Sequence, residues 1–297
     1  MDVAVLGIGN IGLFHVREYL NNNCNVVAIL ESNETLAKEK KDLIKKEYNI
    51  DVKTYTDLFE LLSNEKLDTI SICTPPDKHY EQVKICLENN LNVLCEKPFV
   101  IGKNNLKLAK DLFILAKERK KILSVNTQWP SALEQIKSLI SSKPIQEFSF
   151  YMEPGLKDIG LLTEALPHAN SLLIKLLGIG EIKNPKFIKK ESNEVILDFD
   201  YIYCNLICNV KYHFKFKQDR PREVSFSINN NKFTRIFKNN NQVLINKDNE
   251  IPIEDPFKIS LKRFIGAINM NNPPLVEEKE ILENLLLQNI ILSSYLI

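Results

Sequence analysis

The chain opens on Val3-Ala4-Val5-Leu6-Gly7-Ile8-Gly9-Asn10-Ile11-Gly12. Four apolar residues run into glycines spaced G-x-G-x-x-G, and residues 13–21, with Leu13, Phe14, Val16, Tyr19 and Leu20 apolar, read as the helix that follows. In a strand-turn-helix of this kind the first glycine permits the tight turn, the second lets the backbone approach a pyrophosphate, and the third lets helix and strand pack closely. Phosphates would rest on the helix N-terminus, where unpaired N–H groups and the helix dipole favour negative charge. A second apolar run, Val26 to Leu30, ends in Glu31, nineteen residues past Gly12. That is near the spacing of about 20 at which an acid hydrogen-bonds a ribose 2′-hydroxyl. Its carboxylate would repel a 2′-phosphate, and Ser32-Asn33-Glu34 supplies no cation to offset it, so the reading favours NAD over NADP.

Strands and helices then alternate: a charged helix from about Glu34 to Tyr48, a short strand near Val52 to Tyr55, and Asp57 with Glu60 as a capping box before Leu58, Phe59, Leu61 and Leu62. This alternation builds a parallel sheet with helices on both faces. The fourth strand, Thr69 to Cys73, runs into Thr74-Pro75-Pro76-Asp77-Lys78-His79, and a helix is expected from Asp77 to Asn89. Ligands of such sheets bind just beyond the carboxyl ends of the strands. The fifth strand, Leu91 to Cys95, ends in Glu96-Lys97-Pro98, where Pro98 forces Lys97 out of helical geometry and holds it extended at that edge. A helix (Leu106 to Arg119) and a sixth strand (Ile122 to Asn126) complete the unit. His15, on the first helix, reads as a packing or capping residue, because the glycine turn aims phosphates at that end.

Together Gly7 to Gly12, Glu31, Cys73-Thr74-Pro75-Pro76 through His79, and Glu96-Lys97-Pro98 resemble the glucose-fructose oxidoreductase, inositol dehydrogenase and MocA (Gfo/Idh/MocA) family of NAD(P)-dependent oxidoreductases. The resemblance is strong over residues 1–126 and thinner beyond. It implies that Gly7, Gly9, Asn10, Ile11, Gly12, Glu31, Thr74, Pro75, His79, Glu96, Lys97 and Asn126 hold the cofactor, that Lys97 lines nicotinamide and substrate, and that the Lys97-Pro98 peptide is cis. Where the family carries an aspartate and a histidine four apart at a helix start, this chain has Glu164 and His168. Pro167 places the start of that helix near Ala165, with Gly178 ending it. The implied catalytic set is Lys97, His168 and Glu164: imidazole as proton acceptor, lysine on the developing alkoxide, glutamate orienting the ring. At the crossover into the second domain, where relatives often have an arginine, this chain has Gln128, followed by Trp129, its only tryptophan, read as hinge packing or a sugar platform.

The second half changes character. Alternating apolar residues (Phe148, Phe150, Met152; Val195, Leu197, Phe199; Tyr212, Phe214, Phe216; Val224, Phe226, Ile228; Phe233, Ile236; Val243, Ile245) read as strands of an antiparallel sheet, with a hairpin turn at Asn229 to Asn231. Two amphipathic helices close the chain, one carrying Phe257, Leu261, Phe264, Ile265 and Ile268 and one from Glu277 to Leu296. The fold class is therefore α/β: a Rossmann doubly wound parallel sheet over 1–126, then an α+β domain with a mainly antiparallel open sheet over 127–297. The family uses the free face of such a sheet to form dimers, so a homo-oligomer is implied by resemblance.

Composition agrees. Lys plus Arg (39) nearly balance Asp plus Glu (38), leaving +1 and no sign of a polyanionic partner such as nucleic acid. The six cysteines (Cys24, Cys73, Cys86, Cys95, Cys204, Cys208) lack metal-ligand spacing and read as buried thiols in a reducing compartment. No metal site is expected, and no apolar run reaches the roughly 18 residues that span a bilayer. A first strand beginning at residue 2 or 3 leaves no room for a cleaved leader, so a cytoplasmic protein is expected. The reaction expected is hydride transfer between nicotinamide and a secondary alcohol or ketone of a sugar, polyol or derivative. A non-catalytic NAD-sensing regulator, an NAD-dependent glycosidase and an imine or carbonyl reductase are the alternatives.

Overall fold

In the computed structural model, which describes residues 1–140, 143–239, 241–270 and 272–296, the chain divides into two compact units. One comprises Met1–Asn126 with Ser260–Glu278, the other Thr127–Ile259 with Lys279–Ile297.

The first unit alternates as its sequence predicts: β1 (Asp2–Leu6), α1 (Asn10–Asn21), β2 (Asn25–Leu30), α2 (Glu34–Tyr48), β3 (Lys53–Tyr55), α3 (Leu58–Asn64), β4 (Thr69–Ile72), α4 (His79–Glu88), β5 (Asn92–Glu96), α5 (Asn105–Glu118) and β6 (Leu123–Asn126). The six strands are all parallel, in the order β3-β2-β1-β4-β5-β6. This is the doubly wound arrangement, with its crevice where the order reverses beside β1. Strands β4, β5 and β6 are buried along their whole length, as helices on both faces require. Asp57 caps α3 through the Glu60 N–H at 2.8 Å, one half of the expected capping box.

The second unit holds α6 (Pro130–Ile136), β7 (Glu147–Met152), α7 (Ile159–Leu177), β8 (Glu181–Glu191), β9 (Glu194–Tyr203), β10 (Leu206–Lys215), β11 (Val224–Ile228), β12 (Asn231–Lys238), β13 (Asn241–Asn246) and β14 (Asn249–Ile253). Its eight strands run β14-β13-β12-β11-β7-β10-β9-β8, antiparallel throughout except β7 beside β10. Inward residues of the sheet (Phe150, Leu197, Tyr212, Phe214, Phe226, Phe233) form one core with Leu161, Leu166, Leu172 and Leu173 of α7, and with Leu287 and Ile291 of the last helix. Each such side chain contributes roughly 1.5–3 kcal/mol by leaving water. The last two helices, α8 (Pro256–Met270) and α9 (Glu278–Leu296), complete the chain.

Several expectations change. The helix carrying His168 begins at Ile159, not near Ala165, so Pro167 lies inside it. Proline there leaves the Thr163 carbonyl without its intrahelical donor, but the helix continues because thirteen of its residues are buried, and tertiary packing outweighs local propensity. Helix α8 was expected wholly in the second domain; its residues from Ser260 count with the first unit, where Leu261, Phe264 and Ile265 join Val3, Val5 and Ile29 in one core. Strands β8 and β14 and helix α6 were not anticipated. β8 is an edge strand, mostly polar and exposed, interrupted by irregular register and by Asn184 at φ 52°, so its alternation is faint. Cys204, expected as a buried thiol, is exposed and sits with Asn205 in a two-residue hairpin turn, both at positive φ. The Asn229-Asn230 turn has the same form, the geometry that matches strand twist and that asparagine tolerates. Cys73 is half-buried and the other four cysteines are buried; all six are free thiols. Trp129 is buried in the second core, with the Arg235 guanidinium 5.4 Å from its ring centroid; it is a packing residue. Among the described residues no helix is long and apolar enough to cross a membrane, and no cluster of His, Cys, Asp or Glu could hold a metal ion.

Candidate functional site

The first unit's crevice is built from its backbone. Gly7 lies at φ 80°, its N–H bonded to Leu30 O at 2.8 Å, and a Cβ there would stand 2.8 Å from Cys73 O. A Cβ on Gly12 would stand 2.1 Å from Gly7 O, so the helix could not come this close to the turn. Around Gly9 a Cβ would meet nothing within 4 Å. Two glycines are thus demanded by the fold, while the middle one faces open space, the free approach a pyrophosphate needs. Gly9 also caps α1 without any side-chain hydrogen bond, which leaves first-turn N–H groups turned toward that space.

A cavity of about 720 Å³ opens here, lined among others by Gly7, Gly9, Glu31, Ser32, Thr74 and Pro75. Glu31 stands at the end of β2, its Oε1 accepting from Ile8 N and its Oε2 from Ser32 N. Lys40 and Lys78 reach the same cavity, two cations that the residues next to Glu31 did not reveal. Thr74 donates its hydroxyl to Gln82 Oε1. Asn10 and Ile11 are the first residues of α1, both exposed. These residues fit a dinucleotide: glycine-lined space, helix-end donors and a carboxylate at ribose distance along the sequence.

His79 has another task. It is fully buried, with Nδ1 2.8 Å from Pro98 O and Nε2 2.8 Å from Thr74 O. It therefore ties the loop after β4 to the loop after β5 and holds cofactor-side residues in place. The Lys97-Pro98 peptide is cis, and Lys97 is half-buried. Glu96, 8% exposed, accepts from Asn126 Nδ2 at 2.5 Å, lies 3.0 Å from His15 Nε2, and takes the Lys97 N–H on its other oxygen at 3.3 Å. Burial works against ionisation of Glu96, but the bonds and charges of His15, Asn126 and Lys97 outweigh it and hold the carboxyl below its usual range. Asn126 Oδ1 is buried with no hydrogen-bond partner, an acceptor available to a polar ligand group. His15, expected to pack or cap, is instead a buried polar junction. Its partner Ser71, inside Ile70-Ser71-Ile72 of a central strand, was missed; a hydroxyl in a fully buried strand was the available signal.

In the second unit Glu164 and His168 lie one helical turn apart on α7, His168 only 4% exposed. The Glu164 carboxylate accepts from Gly155 N at 2.9 Å and pairs with Arg222 Nη1 at 3.5 Å. It thereby ties α7 to the loop after β7.

Residues 1–127 match the model of an oxidoreductase family with an NAD-binding Rossmann fold. An uncharacterised oxidoreductase of Schizosaccharomyces pombe is 37% identical over 128 residues, 42% of this chain and 33% of that protein. The inositol 2-dehydrogenase of Rhodococcus erythropolis is 25% identical over 206 residues, 66% of this chain and 58% of that protein. The matched stretches thus span from a third to somewhat over half of these relatives. The architecture as a whole is similar to that of a UDP-N-acetylglucosamine 3-dehydrogenase from Acidithiobacillus ferrooxidans, with a TM-score of 0.78, 17% identity, and 99% of this chain and 97% of that one covered. At that identity the likeness is one of fold.

Proposed function

We propose that the protein is a member of the Gfo/Idh/MocA oxidoreductase family, whose model residues 1–127 match, and that it is an NAD-dependent dehydrogenase or reductase acting on a secondary alcohol or ketone of a sugar, polyol or related small molecule. The observation that carries the reading is the open approach at Gly9 beside an uncapped helix end, in a cavity that also holds Glu31. A Glu31 carboxylate held toward the Ile8 N–H favours a ribose bearing hydroxyls over one bearing a 2′-phosphate.

When bound, the dinucleotide supplies the hydride acceptor or donor. The chain's own residues do the rest. His168 takes the hydroxyl proton of the substrate, a role suited to an imidazole because its unperturbed pKa of about 6.5 lets it accept and return a proton near neutrality. The Lys97 ammonium hydrogen-bonds the oxygen as negative charge develops on it. Glu164 acts at one remove, fixing the helix that carries His168 through Gly155 and Arg222. The exposed face of the second sheet is the surface through which a homo-oligomer would form.

The test has two arms. NAD and NADP are titrated against the protein, and polyols, sugars, sugar phosphates and nucleotide sugars are screened with NAD while reduced-cofactor absorbance is followed. Lys97→Met and His168→Ala should each cut turnover by at least about 100-fold, the scale of a lost acid-base or electrostatic group, with NAD affinity nearly unchanged. Wild-type turnover in both variants removes the assignment.

A further inference from the structure

Beneath the carboxyl edge of the first sheet, three elements, α1, β4 and β5, meet in a polar chain that the proposed reaction does not use. Tyr19 OH lies 2.7 Å from Ser71 Oγ, Ser71 Oγ 3.0 Å from His15 Nδ1, and His15 Nε2 3.0 Å from Glu96 Oε1. Tyr19, Ser71 and His15 are fully buried. The direction of the chain follows from donor inventory. A carboxylate only accepts, so His15 carries a proton on Nε2; in the tautomer protonated there alone, Nδ1 accepts from the Ser71 hydroxyl, and Ser71 accepts from Tyr19. Burial pushes the Tyr19 phenol up, out of reach of ionisation, which keeps it a donor. In that tautomer every link is satisfied.

We propose that His15 and Glu96 form a buried positioning pair for Lys97: helix α1, through His15, fixes the Glu96 carboxylate against the Lys97 backbone and beside its ammonium. The helix that offers its N-terminus to phosphates and the strand end that presents the lysine are thereby held in one register. The groups facing Glu96 are His15 from α1, Lys97 next in sequence, Asn126 from β6, and the thiols of Cys73 and Cys95, both of which burial and then the Glu96 charge push well up. Among them only His15 and Lys97 can carry positive charge. An isolated buried carboxylate would lose its charge; with His15 in place it persists and attracts the ammonium.

The inference rests on the reading of Lys97 as the amine of the reaction, and its test separates the two. Glu96→Gln keeps an oxygen for His15 and Asn126 while deleting the charge and the acceptor of the Lys97 N–H. His15→Phe keeps bulk and deletes the partner. In the full-length chain, brief acetylation with acetic anhydride at pH 8 is read by mass spectrometry at Lys97, with exposed Lys110 as the internal standard. Loss of an adjacent negative charge favours the reactive, uncharged amine. For an assumed charge separation of about 6 Å, an effective dielectric between about 80 and about 20 corresponds to a rise of about 3-fold to about 100-fold. Glu96→Gln and the double variant should show the same rise, and His15→Phe a rise no larger, because the only carboxylate charge of the pair is already gone in Glu96→Gln. A rise under about 3-fold in Glu96→Gln, or an additive double variant, overturns the pairing; should His15→Phe not fold, Glu96→Gln alone decides. Lys97→Met is assayed separately for hydride transfer, so wild-type turnover there defeats the reading of the lysine and leaves the acetylation result standing on the pair itself.

Discussion

Substituting alanine at Gly9 and at Gly12 should separate what the glycine turn does for the fold from what it does for a ligand. At Gly12 the new methyl would stand 2.1 Å from Gly7 O and 3.0 Å from Gly7 C, against a comfortable separation of about 3.5 Å or more. The atoms it meets are backbone, so no rotamer change relieves them, and α1 must move by more than an ångström from the turn. Overpacking of this kind costs about 1–3 kcal/mol, occasionally more, and alanine's better helix propensity returns about 1 kcal/mol. With a backbone contact this short setting the upper end of that range, a net loss of about 2 kcal/mol should lower the melting temperature by roughly 4–8 °C. At Gly9 the methyl meets nothing within 4 Å, and φ is −74°, a value any residue adopts. Stability should stay within about 0.5 kcal/mol of wild type. The same methyl, however, fills the approach to the helix end, and NAD affinity should fall at least about tenfold, or 1.4 kcal/mol. Circular dichroism melts report the first effect and NADH fluorescence titrations the second. If Gly9→Ala binds NAD as wild type does, the cavity is not the dinucleotide site. A Gly12→Ala protein melting with wild type would refute the steric argument.

Two further outcomes follow from single residues. Glu31→Ala removes the carboxylate while Lys40 and Lys78 still reach the cavity, so the ratio of NADP to NAD affinity should rise at least about tenfold in parallel titrations; an unchanged ratio shows that Glu31 does not discriminate. Glu194 is held down to about 2 by hydrogen bonds from Lys189 and His213, below the usual carboxylate value of about 4.3. A carboxyl lowered in the folded state contributes stability above the unfolded value and loses it as pH falls from about 4.3 through about 2. Glu194→Gln should therefore flatten the acid limb of a stability-against-pH curve between those values while leaving its slope near neutrality unchanged.

Local signals made much of this protein legible in its sequence. The order of strand, glycines, helix and acid at residues 3–31 needs only hydrophobic periodicity and the steric properties of glycine, and the parallel sheet followed from strands alternating with helices. Turn chemistry at Asn229-Asn230 was equally local. Edge strand β8 escaped because an exposed, irregular strand has no buried face to impose alternation.

What only tertiary structure decided concerns groups distant in sequence. Whether α7 could run through Pro167 depended on the core that buries it, not on the residues flanking the proline. That Ser260–Glu278 returns to the first unit depended on apolar contacts with strands more than two hundred residues earlier. His15 looked like an ordinary helix residue until Ser71 and Glu96, 56 and 81 residues further along the chain, closed around its two nitrogens. Composition and periodicity announce which face of an element is buried; they carry no record of which polar atom is waiting on the other side, because that pairing is settled only when separate elements pack.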